Sequence, residues 1–340
     1  MASFEKVKAG YKVGLKIKVG DDFVRESKTF RTKAEGVAWA YEREKEIRAE
    51  ESSGFVTGKT LNDAFIRYEK EVSRTKRGHR WEALRLSAMS AIEVLGKPFG
   101  SYLLAKLTPE NVGAYRDVRL LKVQGATVNR EFNLLSNVLS VARDEWRWMV
   151  ESPTKKVRRP KDNPPRTRRP SDAEIERISF YCNFNDEPIA EKKQALAVAF
   201  LFAIETAMRE GEIAKLIPAF ISGPVANLPA SICKNGHARS VPLTNRALEL
   251  LSFLPAPETA ESPYFMMTAD AISVGFRKVT AACAIEDLHF HDARREAASR
   301  WAKKIDVMAL ARMTGHRDIN ELMTYYNEAP EDVAAKLNAA

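Results

Sequence analysis

Along residues 11–19, YKVGLKIKV, apolar and basic side chains alternate without a break. Val13, Leu15, Ile17 and Val19 fall on one face, Lys12, Lys16 and Lys18 on the other, the period of a half-buried strand. Gly20–Asp22 reads as a turn and FVRESKTF as the return strand. Thr32 then caps a helix over 33–51, with Val37, Trp39, Ala40 and Tyr41 as its apolar positions. After a linker at 52–60 the period changes to 3.6, and residues 61–72, 80–96, 108–121 and 125–146 read as a bundle of four or more helices joined by short connections. Thr108-Pro109-Glu110 is a helix start with proline in the first turn.

Beyond residue 170 the pattern is again mostly helical. Ser171 opens a capped helix, and the apolar run 195–204, ALAVAFLFAI, is a buried one. The exception lies around 219–243, where a hairpin is expected with its turn at Lys234-Asn235-Gly236, because Asn-Gly favours tight turns. A helix capped by Asp306 stops at Gly315, a second capped by Asp318 runs on toward Tyr325-Tyr326, and a terminal helix is expected over 329–337 with Pro330 in its first turn. The fold class expected is therefore multidomain α+β. A small β-sheet with one helix occupies 1–51, an all-α bundle 57–153, a linker 154–170, and a mainly α domain with a small antiparallel sheet 171–340.

Composition narrows the partners. The longest apolar run is ten residues, half a membrane span, and the N-terminus has neither the apolar core nor the cleavage site of a secretory signal. Cys182, Cys233 and Cys283 are odd in number and far apart, which points to reduced thiols, a cytosolic protein and no structural zinc. The net charge of +9 is unevenly spread: residues 1–170 carry 36 Lys and Arg against 22 Asp and Glu, a net of +14, and residues 171–340 a net of −5. A basic first half suits a polyanion, with nucleic acid favoured over a membrane surface. The cations offered for DNA contact are Lys12, Lys16 and Lys18 on the sheet, Lys76, Arg77, Arg80 and Arg130 on the bundle, and Lys155, Lys156, Arg158 and Arg159 in the linker. The linker, TKKVRRPKDNPPRTRRP at 154–170, has eight Lys or Arg, one Asp and four prolines, so it reads as an extended strap that can follow a phosphate backbone.

Four segments of the second half carry residues suited to a phosphodiester. In TAMREGEIAKL, Arg209 follows the buried run so closely that it needs a partner or a ligand, and Glu212 is spaced to pair with it. Lys234 on its turn can act as a point charge or proton donor. In LHFHDARREAASRW, His291 and Arg294 are spaced to project together, while His289 falls off that face. MTGHRDINELMTYYNE sets His316 just after a helix stop and two tyrosines shortly downstream. Taken singly, each has an ordinary structural explanation: an ion pair, an exposed turn lysine, a basic helix side, one buried ring beside an exposed one.

Together and in this order, TAMREGE, CKNGHARSVPL, HDAR, TGH and a tyrosine nine residues past that histidine resemble the tyrosine recombinase (phage integrase) family. The resemblance covers the second half in order. It extends more loosely to a helical core-binding domain and an arm-type DNA-binding domain (SKTFRTKAEGVAWA) in the first half. It implies that Arg209 and Arg294 clamp the scissile phosphate and that Lys234 protonates the departing 5′ oxygen. It further implies that His291 assists proton transfer, that His316 donates a hydrogen bond to the phosphate, and that Tyr325 is the nucleophile. The implied chemistry needs no metal, cofactor or ATP, since a phosphotyrosine ester preserves the energy of the broken bond. Double-stranded DNA at attachment sites would be the substrate, a homotetramer the working assembly, and a host DNA-bending protein and an excisionase possible accessories, in the cytoplasm at the nucleoid. A prophage-type integrase is the favoured reading. A type IB topoisomerase would not need an arm domain, a resolvase or shufflon-type invertase shares the residues, and a DNA-binding regulator would not need all six.

Overall fold

The computed structural model describes residues 2–19, 22–53, 56, 58–164, 166–326 and 338. The chain divides into two compact units, Met1–Pro165 and Arg166–Ala340.

The first unit opens with a three-stranded antiparallel sheet, β1 (Ala2–Val7), β2 (Gly10–Val19) and β3 (Asp22–Phe30), in that spatial order. Val13, Leu15 and Ile17 are buried and Lys12, Lys16 and Lys18 exposed, as the alternation requires. Strand β1 is absent from the sequence reading, because an edge strand with four consecutive exposed residues shows no alternation. Helix α1 (Lys33–Ser53) begins at Thr32, whose hydroxyl accepts the Glu35 N–H at 3.2 Å. Its buried face is Gly36, Ala40 and Ile47, not the expected Val37 and Tyr41, which are exposed. Gly36 decides the rotation: a Cβ there would stand 2.5 Å from Val13 Cγ2, so only glycine lets the helix lie this close to β2.

Helices α2 (Leu61–Glu71), α3 (His79–Ala91), α4 (Pro109–Leu120) and α5 (Gly125–Asp144) form the bundle. Helix α3 ends earlier than its pattern suggests. Leu95 and Gly96 take positive φ and turn β4 (Glu93–Val94) back on β5 (Lys97–Pro98). At the bundle's centre Glu131 is completely buried. Its carboxylate accepts two bonds from Arg119 (2.8 and 2.9 Å), one from Arg85 (3.0 Å) and one from Tyr115 Oη (2.7 Å). Among its described residues the strap holds one short 3₁₀ turn (Pro153–Lys156) and otherwise neither helix nor strand. Asn129 binds the Pro160 carbonyl and Arg116 the Arg158 carbonyl, which ties its first part to α5 and α4.

The second unit contains α6 (Asp172–Tyr181), α7 (Lys192–Thr206), α8 (Glu210–Ile213), the strands β6 (Ile221–Ser222), β7 (Val225–Leu228) and β8 (Arg239–Pro242), then α9 (Asn245–Ser252), α10 (Ala269–Ala282), α11 (Asp292–Ala302), α12 (Val307–Thr314) and α13 (Asn320–Met323). The three strands form one antiparallel sheet. Helix α7 lies at the centre of the core with nine buried residues, and α9, α10 and α11 pack on it. The hairpin is present, but its strands stop at Leu228 and Arg239, so Lys234-Asn235-Gly236 sits inside a longer loop; Gly236 (φ 69°) closes a local turn by donating to the Cys233 carbonyl. Helix α13 is shorter than expected, and the helix expected over 329–337 lies outside the described residues. Among the described residues no helix is long and apolar enough to cross a membrane.

The Glu131 cluster gives a stability prediction. Glu131→Ala leaves Arg119 and Arg85 cationic with no carboxylate, and should lower the unfolding free energy by about 3 kcal/mol. Glu131→Gln, whose amide oxygen still accepts, should cost less. Urea unfolding followed by the fluorescence of Trp146 and Trp148, which pack in the same core, measures both.

Candidate active site

Four of the six expected residues line one cleft of about 410 Å³: Arg209, Lys234, His291 and Arg294. A second cleft, about 560 Å³, lies on the other side of Arg209 and is bordered by Arg239, Gly315 and His316.

Arg294 is the buried one. It sits in the first turn of α11, 5% exposed, and gives one guanidinium nitrogen to the Ala207 carbonyl and another to the Thr314 carbonyl. Ala207 ends α7 in the left-handed region (φ 52°), which a β-carbon resists and which turns its carbonyl out of the helix direction. Burial, then repulsion from Arg209 and Arg239, lowers the Arg294 pKa to about 9, so it is still a cation at neutral pH.

Arg209 stands just ahead of α8 rather than inside a helix. Glu212 accepts both its backbone N–H (2.8 Å) and its Nη1 (3.2 Å). The carboxylate is shared with Arg239, which donates Nη2 to Glu212 at 2.8 Å and Nε to the Met313 carbonyl at 2.9 Å. Burial alone would raise the Glu212 pKa, but the bonds from Arg239 and Arg209 hold it below the usual carboxylate value. Arg239 is a residue the sequence reading missed. Its signal was the two-residue period of β8: Val241 is buried, so Arg239 points inward as well.

Lys234 is exposed and has no hydrogen-bond or ion-pair partner among the described residues. Its neighbours hold the loop, since Cys233 is buried and Asn235 Nδ2 reaches the Gly315 carbonyl at 3.5 Å. His291 precedes α11 directly and is exposed. Partial desolvation, then the charges of Arg294, Arg295 and Arg209, lowers its pKa. His289 is exposed and lines neither cleft.

His316 follows Gly315, whose φ of 72° ends α12 and whose missing β-carbon would otherwise stand 3.0 Å from Arg239 Cδ. Its Nδ1 lies 2.6 Å from Thr314 Oγ1. Burial, then Arg294, Arg209 and Arg239, push its pKa down to about 4, so the ring is neutral at pH 7.

The two tyrosines differ. Tyr326 donates its hydroxyl to the Ile305 carbonyl at 2.8 Å, and burial raises its pKa. Tyr325 packs its ring on the cluster of Ala302, Leu310, Ala311 and Leu322, but its hydroxyl makes no hydrogen bond among the described residues, and it lies within electrostatic range of Arg294. One phenol is anchored and the other is free.

The cations offered for DNA contact are scattered over the first unit. Lys12, Lys16, Lys18, Arg77, Arg80, Arg130, Lys155 and Arg158 are exposed. Lys76 bonds to Tyr68 and Glu82, Lys156 to Glu151 and Arg159 to Asn133, and Lys16 lies over the Phe23 ring. At the strap's far end Arg166 makes a bidentate pair with the buried Asp292, and Arg168 pairs with Glu174.

Comparison with known proteins gives a consistent result. Residues 171–332 match the model of the phage integrase family. A Haemophilus influenzae protein named "Putative integrase/recombinase" is 39% identical over 89% of this chain and 82% of its own length. The shufflon-specific DNA recombinase of Escherichia coli is 36% identical over 82% of this chain and 72% of its own. Among solved structures, a lambda integrase dimer bound to a COC′ core site superposes with a TM-score of 0.64 at 17% identity, over 95% of this chain and 93% of that one. The Tn1549 transposon integrase in complex with a circular intermediate DNA gives 0.65 at 13%, over 83% and 100%. With two relatives above 30% identity aligned over most of both chains, this chain belongs to the phage integrase family, the tyrosine recombinases.

Proposed function

We propose that the chain is a site-specific DNA recombinase in which Arg209, Lys234, His291, Arg294, His316 and Tyr325 carry the reaction, and that its role is integration and excision of a prophage or similar mobile element. The observation that carries this reading is the cleft where Arg209, Lys234, His291 and Arg294 meet, with the free Tyr325 phenol nearby.

The geometry suits two transesterifications. Tyr325 Oη attacks the scissile phosphorus, and its proton passes to the neutral His291. The bond from phosphorus to the 5′ oxygen breaks as the bond to tyrosine forms, and Lys234 gives the leaving oxygen its proton. Arg209, Arg294 and His316 hold the non-bridging oxygens, where negative charge grows in the transition state. Attack by a 5′ hydroxyl from a second duplex reverses the steps and seals the new strand. No bond energy is lost between the two, so no cofactor is consumed.

In the same proposal residues 1–51 form the arm-type DNA-binding domain, 57–153 the core-binding domain, 154–170 the basic linker and 171–340 the catalytic domain. The exposed lysines of β2 and the exposed bundle cations support the first two roles. Exchange between two duplexes cut at four strands calls for a homotetramer on DNA, and a host DNA-bending protein and an excisionase fit an integrase acting at the nucleoid. A second reading, inversion of a DNA segment, draws support from the likeness to the shufflon-specific recombinase. Sequencing host DNA around the gene separates the two: an excised circle and its empty junction mark integration, a flipped segment between inverted repeats marks inversion.

Incubation with DNA flanking the gene, in EDTA, should give an SDS-resistant protein–DNA adduct for the wild type. Tyr325→Phe should abolish the adduct, while Tyr326→Phe should retain it at a reduced rate, because the ring still packs but loses its tie to Ile305. An adduct that survives Tyr325→Phe and disappears in Tyr326→Phe would reverse the assignment.

The histidines also predict a pH dependence. The folded His316 titrates at about 4 and the unfolded residue near 6.5. Between these values the unfolded chain binds more protons, so stability is full above about pH 6.5, falls as pH drops, and levels off below 4. The His316 share amounts to ~3 kcal/mol. Urea midpoints at pH 7.5 and 5 should differ less in His316→Asn than in the wild type.

A further inference from the structure

Thr314 lies between two of the proposed phosphate ligands and is completely buried. Its carbonyl accepts a hydrogen bond from Arg294, and its hydroxyl stands 2.6 Å from His316 Nδ1 and 2.7 Å from the Leu310 carbonyl. A hydroxyl has one proton to give. If it points to Leu310, its lone pair faces Nδ1, the ring must carry its proton there, and a neutral ring then presents a bare Nε2. If it turns to Nδ1, the same neutral ring carries the proton on Nε2. The turn leaves no carbonyl orphaned, because Leu310 keeps its helical bond from the Thr314 N–H.

We propose that Thr314 is a positioning residue that sets the tautomer of His316: on DNA its hydroxyl donates to Nδ1, so that the neutral imidazole offers Nε2–H to the scissile phosphate. The inference rests on reading His316 as a phosphate ligand. Three observations carry it. Among the described residues Nε2 has no hydrogen bond; Glu321 Oε2 stands 3.7 Å away, beyond bonding reach. That neighbour is an acidic side chain on the Nε2 side of the ring, a placement that suits a proton on Nε2. Finally, the ring is largely withdrawn from solvent and lies within electrostatic range of Arg294, Arg209 and Arg239, which makes an imidazolium costly, so donation has to come from a neutral ring and therefore from the correct tautomer. The Arg294 bond to the Thr314 carbonyl also ties the placement of one phosphate ligand to that of the other.

The tautomer can be read directly. The protein has five histidines. With ¹⁵N-histidine labelling and Tyr325→Phe to block cleavage, the full-length chain is bound to the flanking DNA. His316 is then assigned by the signal missing in His316→Asn. Long-range ¹H–¹⁵N correlations should show an unprotonated Nδ1 and a protonated Nε2. On a Tyr325 background, Thr314→Val should slow adduct formation about tenfold, the cost of a buried ring nitrogen left without a partner, while Thr314→Ser should stay within about twofold. A protonated Nδ1 with bare Nε2 on DNA, an imidazolium, or a Thr314→Val protein that cleaves at the wild-type rate would overturn the inference and leave the active-site assignment standing. Absence of any adduct in the wild type would instead overturn that assignment, and this inference with it. Should Thr314→Val fail to fold, the tautomer in the Thr314-containing protein decides alone.

Discussion

Two guanidinium groups, Arg209 and Arg239, pair with one buried carboxylate, Glu212, and a third, Arg294, lies within electrostatic range of it without bonding to it. The imbalance is the constraint around which the second unit is arranged. One anion cannot neutralise three cations, and buried charge without compensation is expensive. The protein meets the cost in part with backbone: the Ala207 and Thr314 carbonyls bind Arg294, and the Met313 carbonyl binds Arg239. Each carbonyl lies at or near a helix end, where it has no further helical partner. The ends of α7 and α12, the turn before α8 and the start of β8 are thereby fixed relative to one another by polar contacts. What remains is a net positive cavity that a phosphodiester would complete.

The same electrostatics set the protonation of the histidines. Desolvation, then the neighbouring guanidiniums, lowers the pKa of both His316 and His291, which favours neutral rings that suit the proposed proton acceptor and donor. This division of labour follows from position alone, since both side chains begin with the same intrinsic pKa. Lys234, on an exposed loop at the edge of the same cleft and without a partner among the described residues, is the cation with freedom to move, which suits the proposed proton transfer to a leaving oxygen.

Much of this was legible in the sequence, for identifiable reasons. The β2 alternation, the Thr32 and Ser171 capping boxes and the Gly315 stop are local signals, and the structure has each where the pattern put it. The strand Ala2–Val7 was not legible, because an edge strand lacks a buried face to reveal it. Nor was the buried side of α1, where Gly36 and not the larger Val37 determines the contact. In the candidate site the sequence order supplied the groups proposed to face a substrate, while those that hold them in place, Arg239 and the carbonyls of Ala207, Met313 and Thr314, were invisible. A main-chain oxygen has no residue type, and its use depends on where a helix ends in space.

The adjacent tyrosines show how such placement assigns chemistry. Tyr325 and Tyr326 have identical side chains on consecutive residues, so neither composition nor motif separates them except by counting from His316. Packing does. The chain leaves α13 in a turn that directs Tyr326 toward the Ile305 carbonyl, where its hydroxyl proton is committed. It lays Tyr325 against the cluster of Leu310 and Leu322, with its hydroxyl unbonded among the described residues. A nucleophile must be able to lose its proton and approach phosphorus, and an anchored phenol would first have to break its bond. The anchored ring also limits where its neighbour can go. If Tyr325 is the nucleophile, as proposed, the anchored Tyr326 would narrow the range over which it must search, and part of the entropy of attack would be removed before DNA arrives.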